Sequence, residues 1–248
     1  MSRVVELNWA PARAADIEPL LTEAGSVLLH GLDGPAELRR LARALGRAIP
    51  PGAGIPRALR RDDDIYEVKV QDPSGAGLRD GHGNTILSTT ASHFPPHTDG
   101  YNLVEPPRFV LLLRVDQEDD APVSSVSDAI AAIASLPAGD RALLRRPLYG
   151  SAVGELPVLD KVSGRSRVRF NAVEMRRWSG ARACVEQAIG TIAPALQNVE
   201  RRFRLRRGDC LVMDNWRMCH GRDALSRESK RVLLRMWVAD RRTGADVR

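Results

Sequence analysis

Apolar and polar positions along this chain predict short strands with a few amphipathic helices between them. Ala14 to Ala24 has helical spacing and stops at Gly25, and Ser26 to His30 follows as a strand. Asp33, Pro35 and Glu37 open a second helix with Leu38, Leu41, Ala42 and Leu45 on its inner face. Ile65 to Val70 alternates as a strand, Phe109 to Val115 is an apolar strand, and Val123 to Val126 is another. Ser127 and Asp128 cap a helix that runs to Leu136, where Pro137 ends it. Arg165 to Met175 reads as a strand, with Val168, Phe170 and Ala172 opposite Arg167, Arg169 and Asn171. Ser179 to Val199 has a helical pattern interrupted at Gly190 and Pro194, and Arg201 to Arg207 returns to a strand.

Two late stretches complete the pattern. Cys210 to Met213 is a short apolar run between a Gly-Asp and an Asp-Asn turn, which predicts a buried strand with His220 just past it. In Arg231 to Val238, Val232, Leu234, Met236 and Val238 share one face, and Arg231, Leu233, Arg235 and Trp237 share the other. An arginine on a half-buried strand face is costly unless an anion meets it, and an internal salt bridge is the plain explanation for either one alone. Strands dominate the second half and helices lie outside them. The expected fold is mainly β with helical insertions, a double-stranded β-helix (jelly-roll) core flanked by helices.

At 248 residues and 43% hydrophobic, the chain can bury one core, so a single domain spanning 1–248 is expected. No stretch has the apolar length of a membrane span, and Met1 to Pro11 lacks a basic region followed by a hydrophobic one, so a cytoplasmic location is expected. Cys184, Cys210 and Cys219 are odd in number and lack metal-binding spacing, which predicts reduced thiols. The net charge of +6 raises a nucleic-acid reading, but only three lysines are present and the arginines are dispersed rather than gathered into an arm. Dispersed charge fits a basic rim around an anionic small molecule as well as it fits a solvated surface.

Candidate chemistry begins at Pro95-Pro96-His97-Thr98-Asp99-Gly100. On an extended backbone residues i and i+2 point the same way, so His97 and Asp99 can grip one ion together. That spacing is common by chance at this composition, and its context is what raises it. A Pro-Pro fixes the backbone before it, an apolar strand follows, and His220 offers a third ligand shortly before the arginine strand. Two histidines and one carboxylate on one face of a metal, with other positions open, suit non-heme Fe(II) oxygen chemistry. Upstream, Asp72 to Phe94 holds Gly75, Gly77, Gly81 and Gly83 and then Ser88-Thr89-Thr90, which reads either as a lid over the site or as an ordinary surface loop. His82 and His93 lie within it. Asp62-Asp63-Asp64 reads as a solvated turn.

His97-Thr98-Asp99-Gly100, the block from Asp214 through His220 to Arg222, and the pair Arg231 and Arg235 together resemble the taurine dioxygenase (TauD/TfdA) and clavaminate synthase-like family of Fe(II)/2-oxoglutarate-dependent oxygenases. The segment from Gly25 to Leu32 and its following helix also look like that family's first strand and helix. The resemblance implies His97, Asp99 and His220 as iron ligands and Arg231, eleven residues past His220, as the partner of the far carboxylate of 2-oxoglutarate. It implies Ser124, four before Asp128, as a helper hydroxyl for the co-substrate, although Ala121-Pro122-Val123 replaces the family's usual Gly-Gly. Arg235 faces the same cavity and in some members meets the substrate's anionic group, so Arg235, Asn171, Ser88 and Thr90 are the candidate substrate contacts. The implied cofactors are Fe(II), 2-oxoglutarate as co-substrate, and O2. The implied reaction oxidises, by hydroxylation first of all, an unactivated C–H bond of a small molecule such as an amino acid or natural-product intermediate, releasing succinate and CO2. Desaturation, epoxidation and cyclisation stay open, whereas Asp99 argues against halogenation. Two alternatives remain: a nucleic-acid or modified-base demethylase, which would bind oligonucleotides in a salt-dependent way, and a non-catalytic metal-binding jelly roll.

Overall fold

Phe109, Leu111 and Leu113 face one way along their strand, Val110 and Leu112 the other, and both sets are buried, so this strand needs a covering layer on each side. In chain order the strands are β1 (Val5–Asn8), β2 (Ser26–His30), β3 (Gly46–Ile49), β4 (Tyr66–Val68), β5 (Phe94–His97), β6 (Phe109–Arg114), β7 (Val123–Asp128), β8 (Tyr149–Ser151), β9 (Gly154–Leu156), β10 (Leu159–Val162), β11 (Arg165–Val168), β12 (Glu200–Arg204), β13 (Cys210–Asp214), β14 (Met218–Arg222) and β15 (Leu233–Asp240). The helices are α1 (Ile17–Ala24), α2 (Gly34–Leu45), α3 (Ala129–Ala134), α4 (Ala138–Leu144), α5 (Ala172–Ser179) and α6 (Ala183–Asn198). The computed structural model describes residues 4–50, 56–71, 77–80, 83, 85–118, 122–151, 154–179 and 182–241. Gly75, Gly81, His82 and Ala121, named above, lie outside them.

A seven-stranded sheet runs β1-β2-β13-β6-β15-β3, with β4 also on β15, and a four-stranded sheet runs β12-β7-β14-β5. Between the sheets sit Leu28, Val110, Leu112, Val126, Leu211, Met213, Met218 and Leu233. Behind the larger sheet, Leu111, Leu113, Val212, Leu234, Met236 and Val238 pack on Leu21 of α1 and Leu38, Leu41 and Leu45 of α2. Behind the smaller sheet, Cys219 packs with Ile133, Val185, Ile189, Ile192 and Leu196 from α3 and α6. Each fully buried aliphatic contributes roughly 1.5–3 kcal/mol, so a one-residue slip of β6, β13 or β15, which exchanges its two buried faces, is strongly disfavoured. This is the jelly-roll core with flanking helices that the pattern predicts. Among the described residues no helix is long and apolar enough to cross a membrane.

Three elements differ from expectation. The strand expected over Arg165 to Met175 stops at Val168, because the Asn171 side-chain oxygen accepts the Glu174 backbone N–H at 3.2 Å and turns the chain into α5. The helix expected to break at Gly190 and Pro194 is continuous as α6. Its stripe Val185, Ala188, Ile189, Ile192, Ala195 and Leu196 is buried on both sides of the proline, which outweighs the roughly 3 kcal/mol cost of a proline inside a helix. His220, expected just beyond a strand, stands in the middle of one, β14.

Candidate active site

β14 lies between β7 and β5, and His220 is directly opposite Val126 on one side and His97 on the other. Directly opposed residues share a sheet face, so the two imidazoles meet with ring centroids 4.2 Å apart. The register shifts just after His220, where Gly221 sits against β5: a side chain there would begin 2.9 Å from the Phe94 carbonyl oxygen. Glycine is therefore what lets β5 approach closely enough to pair the histidines. The edge strand ends at His97, and Asp99 follows in a turn closed by Gly100, whose φ of 63° suits glycine.

The His97 ring stacks on Phe94 at 3.8 Å, and its Nδ1 lies 3.0 Å from the Pro95 carbonyl oxygen. A carbonyl only accepts, so Nδ1 carries the hydrogen and Nε2 presents a lone pair. That Nε2 is buried without a hydrogen-bond partner and faces Asp99 Oδ1 at 3.7 Å, while His220 Nδ1 is likewise buried and unpartnered. Burial, and then His97, lower the His220 pKa to about 3, so its ring is neutral at ordinary pH. Burial alone would raise the Asp99 carboxyl, but Arg235, His97 and His220 hold it well below the usual carboxylate range. Candidate ligand atoms of His97, Asp99 and His220 all lie within 4.8 Å of one another. Two imidazoles with buried, unpartnered nitrogens and a carboxylate, all facing one another, fit a divalent metal ion.

Neighbouring side chains hold this set in place. Asn215, 1% exposed, accepts the Asp99 backbone N–H at 2.8 Å and donates to the Asp99 and Pro107 carbonyls at 3.0 and 2.9 Å. Trp237 Nε1 donates to Asp99 Oδ2 at 2.7 Å, and Arg235 Nη1 lies 3.2 Å from both carboxylate oxygens. The Arg235 guanidinium is itself flanked by the rings of Tyr66 and Trp237, at 4.8 and 5.1 Å. Asn215→Ala is expected to destabilise the fold by about 1–3 kcal/mol, since it leaves buried backbone groups unpaired. It should also weaken metal binding roughly 10–100-fold. Thermal unfolding and metal titration of the variant check both.

Two cavities meet at this centre. One is a narrow cleft lined by His97, His220, Ser124, Arg222 and Arg231 with apolar walls from Leu112, Leu205, Leu211 and Leu233. Arg231 is 4% exposed, and among the described residues its guanidinium has no hydrogen bond or ion pair. Burial, then Arg222 and Arg114, push its pKa down to about 10. Ser124 stands opposite Arg222 in the β7–β14 pairing. Arg222 was not singled out from the sequence beyond the block that carries the resemblance. It is 6% exposed, is pushed down to about 10 by burial, and donates to the carbonyls of Thr90, Ser92 and Asp223 at 2.5, 2.6 and 3.1 Å. The signal was present: Arg222 is two positions past His220 on a strand, hence on the same face.

The second cavity holds about 360 Å³ and is lined by His97, Asp99, Asn171, Ser88, Arg235 and Trp237 among others. Thus Ser88, Arg235 and Asn171 face a space beside the candidate metal centre, but Thr90 lines neither cavity, and its hydroxyl donates to the Leu87 carbonyl in its own turn. Thr89 and Thr90 are buried, so this part of the Gly-rich segment packs inside instead of lying on the surface, whereas His93 is exposed. Arg39 holds Asp62 and Asp64 of the acidic turn. All three cysteines are free thiols, and burial raises those of Cys210 and Cys219, which act as packing groups.

The sequence profile of the taurine catabolism dioxygenase TauD, TfdA family matches residues 153–237. That span contains His220, Arg231 and Arg235 but not His97 or Asp99. No curated protein sequence matches the chain. Among solved structures, an asparagine oxygenase in complex with Fe(II), a 3-hydroxyasparagine and succinate superposes with a TM-score of 0.71 at 15% identity, over 93% of this chain and 80% of that one. The non-heme iron oxygenase OrfP in complex with Fe and alpha-ketoglutaric acid gives 0.68 at 15% identity, over 99% and 97%. The PvcB protein of Pseudomonas aeruginosa gives 0.62 at 20% identity, over 91% and 79%. At these identities the structural likeness speaks to the fold, and the family profile speaks to the sequence of the second half. Together they agree with the resemblance read from the residues: a TauD/TfdA profile matches residues 153–237, and the chain shares its fold with solved non-heme iron oxygenases.

Proposed function

We propose that this chain is an Fe(II)- and 2-oxoglutarate-dependent oxygenase that hydroxylates a C–H bond of a small molecule of the amino-acid class. The observation that carries the reading is the convergence of His97, Asp99 and His220, buried and with unpartnered nitrogens, at the junction of two cavities of different lining. In this reading His97, Asp99 and His220 hold the iron. Arg231 pairs with the far carboxylate of the keto acid through its planar fork, and Ser124 donates a hydroxyl to the same molecule. Leu112, Leu205, Leu211 and Leu233 keep water from its carbon chain. Asn215, Trp237 and Arg235 fix the orientation of Asp99 so that its carboxylate faces the two imidazoles. Bound there, iron with 2-oxoglutarate and O2 supplies an oxidant strong enough for an unactivated C–H bond, with succinate and CO2 as co-products. Ser88 and Asn171 line the space where the substrate would lie. The amino-acid class draws support from fold neighbours solved with a hydroxylated asparagine and with a hydroxylated arginine.

The purified chain given Fe(II), 2-oxoglutarate and air, with no other substrate, is expected to form succinate slowly. Iron binding with no succinate above a metal-free control would leave only a metal-binding module.

A further inference from the structure

A buried charge is costly without an opposite one beside it. The narrow cleft nonetheless holds the guanidinium groups of Arg222 and Arg231, and no carboxylate lines it. A third arginine on its wall, Arg235, already lies against Asp99. Arg222 is 6% exposed and makes no ion pair among the described residues. Its hydrogen bonds go to the carbonyls of Thr90, Ser92 and Asp223. An arginine carries five N–H donors, so these three bonds leave the Nε–H and one Nη2 hydrogen unused. Burial lowers the Arg222 pKa, and no acid offsets it.

Arg222 and His220 are two apart on β14 and share a face, and Ser124 is directly opposite Arg222 on β7. The hydroxyl assigned to the keto acid is therefore the cross-strand neighbour of Arg222. Arg231 is near enough to Arg222 for the two charges to act on one another. The Phe94 ring, stacked on His97, has the Arg222 guanidinium 6.0 Å from its centroid. A carboxylate has two oxygens and about four acceptor positions, enough for two guanidinium groups and a hydroxyl. The same guanidinium is tied to the wall of the other cavity. Thr90 and Ser92 give it their carbonyls, and Ala91 between them accepts the Leu225 N–H at 2.7 Å. Just upstream, Thr85, Ile86, Leu87 and Ser88 line the larger cavity, and Ser88 lines both.

We propose that Arg222 is a second binding residue for the far carboxylate of the keto acid, shared with Arg231, and that its bonds to Thr90 and Ser92 carry occupancy of the narrow cleft to the wall of the larger cavity. This role rests on the oxygenase reading, which places the keto acid in that cleft. An anion beside the guanidinium pairs the charge that opposed its burial, and so holds it more firmly on the two carbonyls. Keto-acid binding thus stiffens residues 85–92 before a substrate arrives. A purely structural latch does neither: it treats every keto acid alike and leaves the segment unchanged.

Calorimetric titrations of the full chain loaded with Mn(II) under argon would compare 2-oxoglutarate with 2-oxopentanoate, the keto acid of the same carbon number that lacks the far carboxylate. Arg222→Met is expected to weaken 2-oxoglutarate at least about tenfold and 2-oxopentanoate less than about twofold. Arg222→Lys keeps the charge but not the fork, and should lose about threefold for 2-oxoglutarate alone. Where Arg222→Met fails to fold, Arg222→Lys carries the same comparison. Hydrogen–deuterium exchange of residues 85–92 should slow in the parent when 2-oxoglutarate saturates it, and should not slow in a saturated Arg222→Met. That exchange arm decides where 2-oxopentanoate binds too weakly to titrate. Equal losses for the two keto acids, 2-oxoglutarate affinity within about twofold of the parent in both variants, or equal slowing of exchange overturns the proposal. A parent that binds no 2-oxoglutarate sinks the oxygenase reading and this role with it, whereas a parent that binds it and variants that match the parent sink only the role of Arg222.

Discussion

Replacing His220 with alanine is expected to lower 2-oxoglutarate-dependent succinate formation by at least about a hundredfold and to remove measurable Fe(II) affinity, because one of the three proposed ligands is lost. The metal-free variant should still fold. His220 Nδ1 has no partner, and the ring's approach to His97 sets two buried nitrogens near one another, so truncation deletes an unsatisfied group along with the packing of the ring. Its cost is the space left behind, about 1–3 kcal/mol for a side chain of this size with partial collapse. Metal-induced thermal stabilisation should therefore vanish while metal-free stability changes modestly. Calorimetric titration with Fe(II) or Mn(II) under argon, beside thermal unfolding, separates the two. Wild-type metal affinity in the folded variant would remove His220 from the ligand set.

Arg231→Met is expected to raise the half-saturating 2-oxoglutarate concentration at least about thirtyfold, or roughly 2 kcal/mol or more. That is the range seen when one partner of a buried charge pair is removed. The sign on stability is opposite. Arg231 is 4% exposed with no ion pair among the described residues, and the neighbouring Arg222 and Arg114 work against its charge. An apolar side chain of similar length removes that desolvation penalty, so the ligand-free variant should be at least as stable as the parent. The parent in turn should gain about 2.7 kcal/mol from keto acid at a hundred times its Kd, a gain the variant should lack at the same concentration. Unfolding curves with and without 2-oxoglutarate test both halves. A variant that is less stable without ligand, yet unchanged in its response to the keto acid, would mean that Arg231 serves the fold.

The strands were legible where burial on two faces or strict alternation left one reading. Alternate residues of Leu233 to Val238 point to different hydrophobic layers, and Leu38, Leu41, Ala42 and Leu45 are all buried on α2. What misled was alternation without a partner strand: Arg167, Arg169 and Asn171 kept a period of two past the point where the Asn171 side chain starts a helix. A single side-chain hydrogen bond outweighs a weak pattern there. Pro194 misled in the other direction, because burial of the whole helix is a property of its surroundings. At the site, His97, Asp99 and His220 could be named because spacing and resemblance agreed. Arg235 was assigned to substrate, whereas its guanidinium lies against Asp99, a contact between residues more than a hundred positions apart that no local pattern encodes. Asn215 and Arg222 stood inside the recognised block without a role, since backbone groups of distant segments are what they bind.

Two of the three candidate ligands belong to the margin of the smaller sheet. β5 is an outer strand of it, begins Phe94-Pro95-Pro96, and beyond its pairing with β14 has a single isolated bridge, from His97 to Asn171, so its attachment is thin compared with that of β14. An ion shared by His97, Asp99 and His220 would rivet that margin to the interior of the sheet. The wall between the two cavities would then be partly made of that ion, and amides of residues 94–99 should be the first in the smaller sheet to exchange with solvent when the ion is withdrawn.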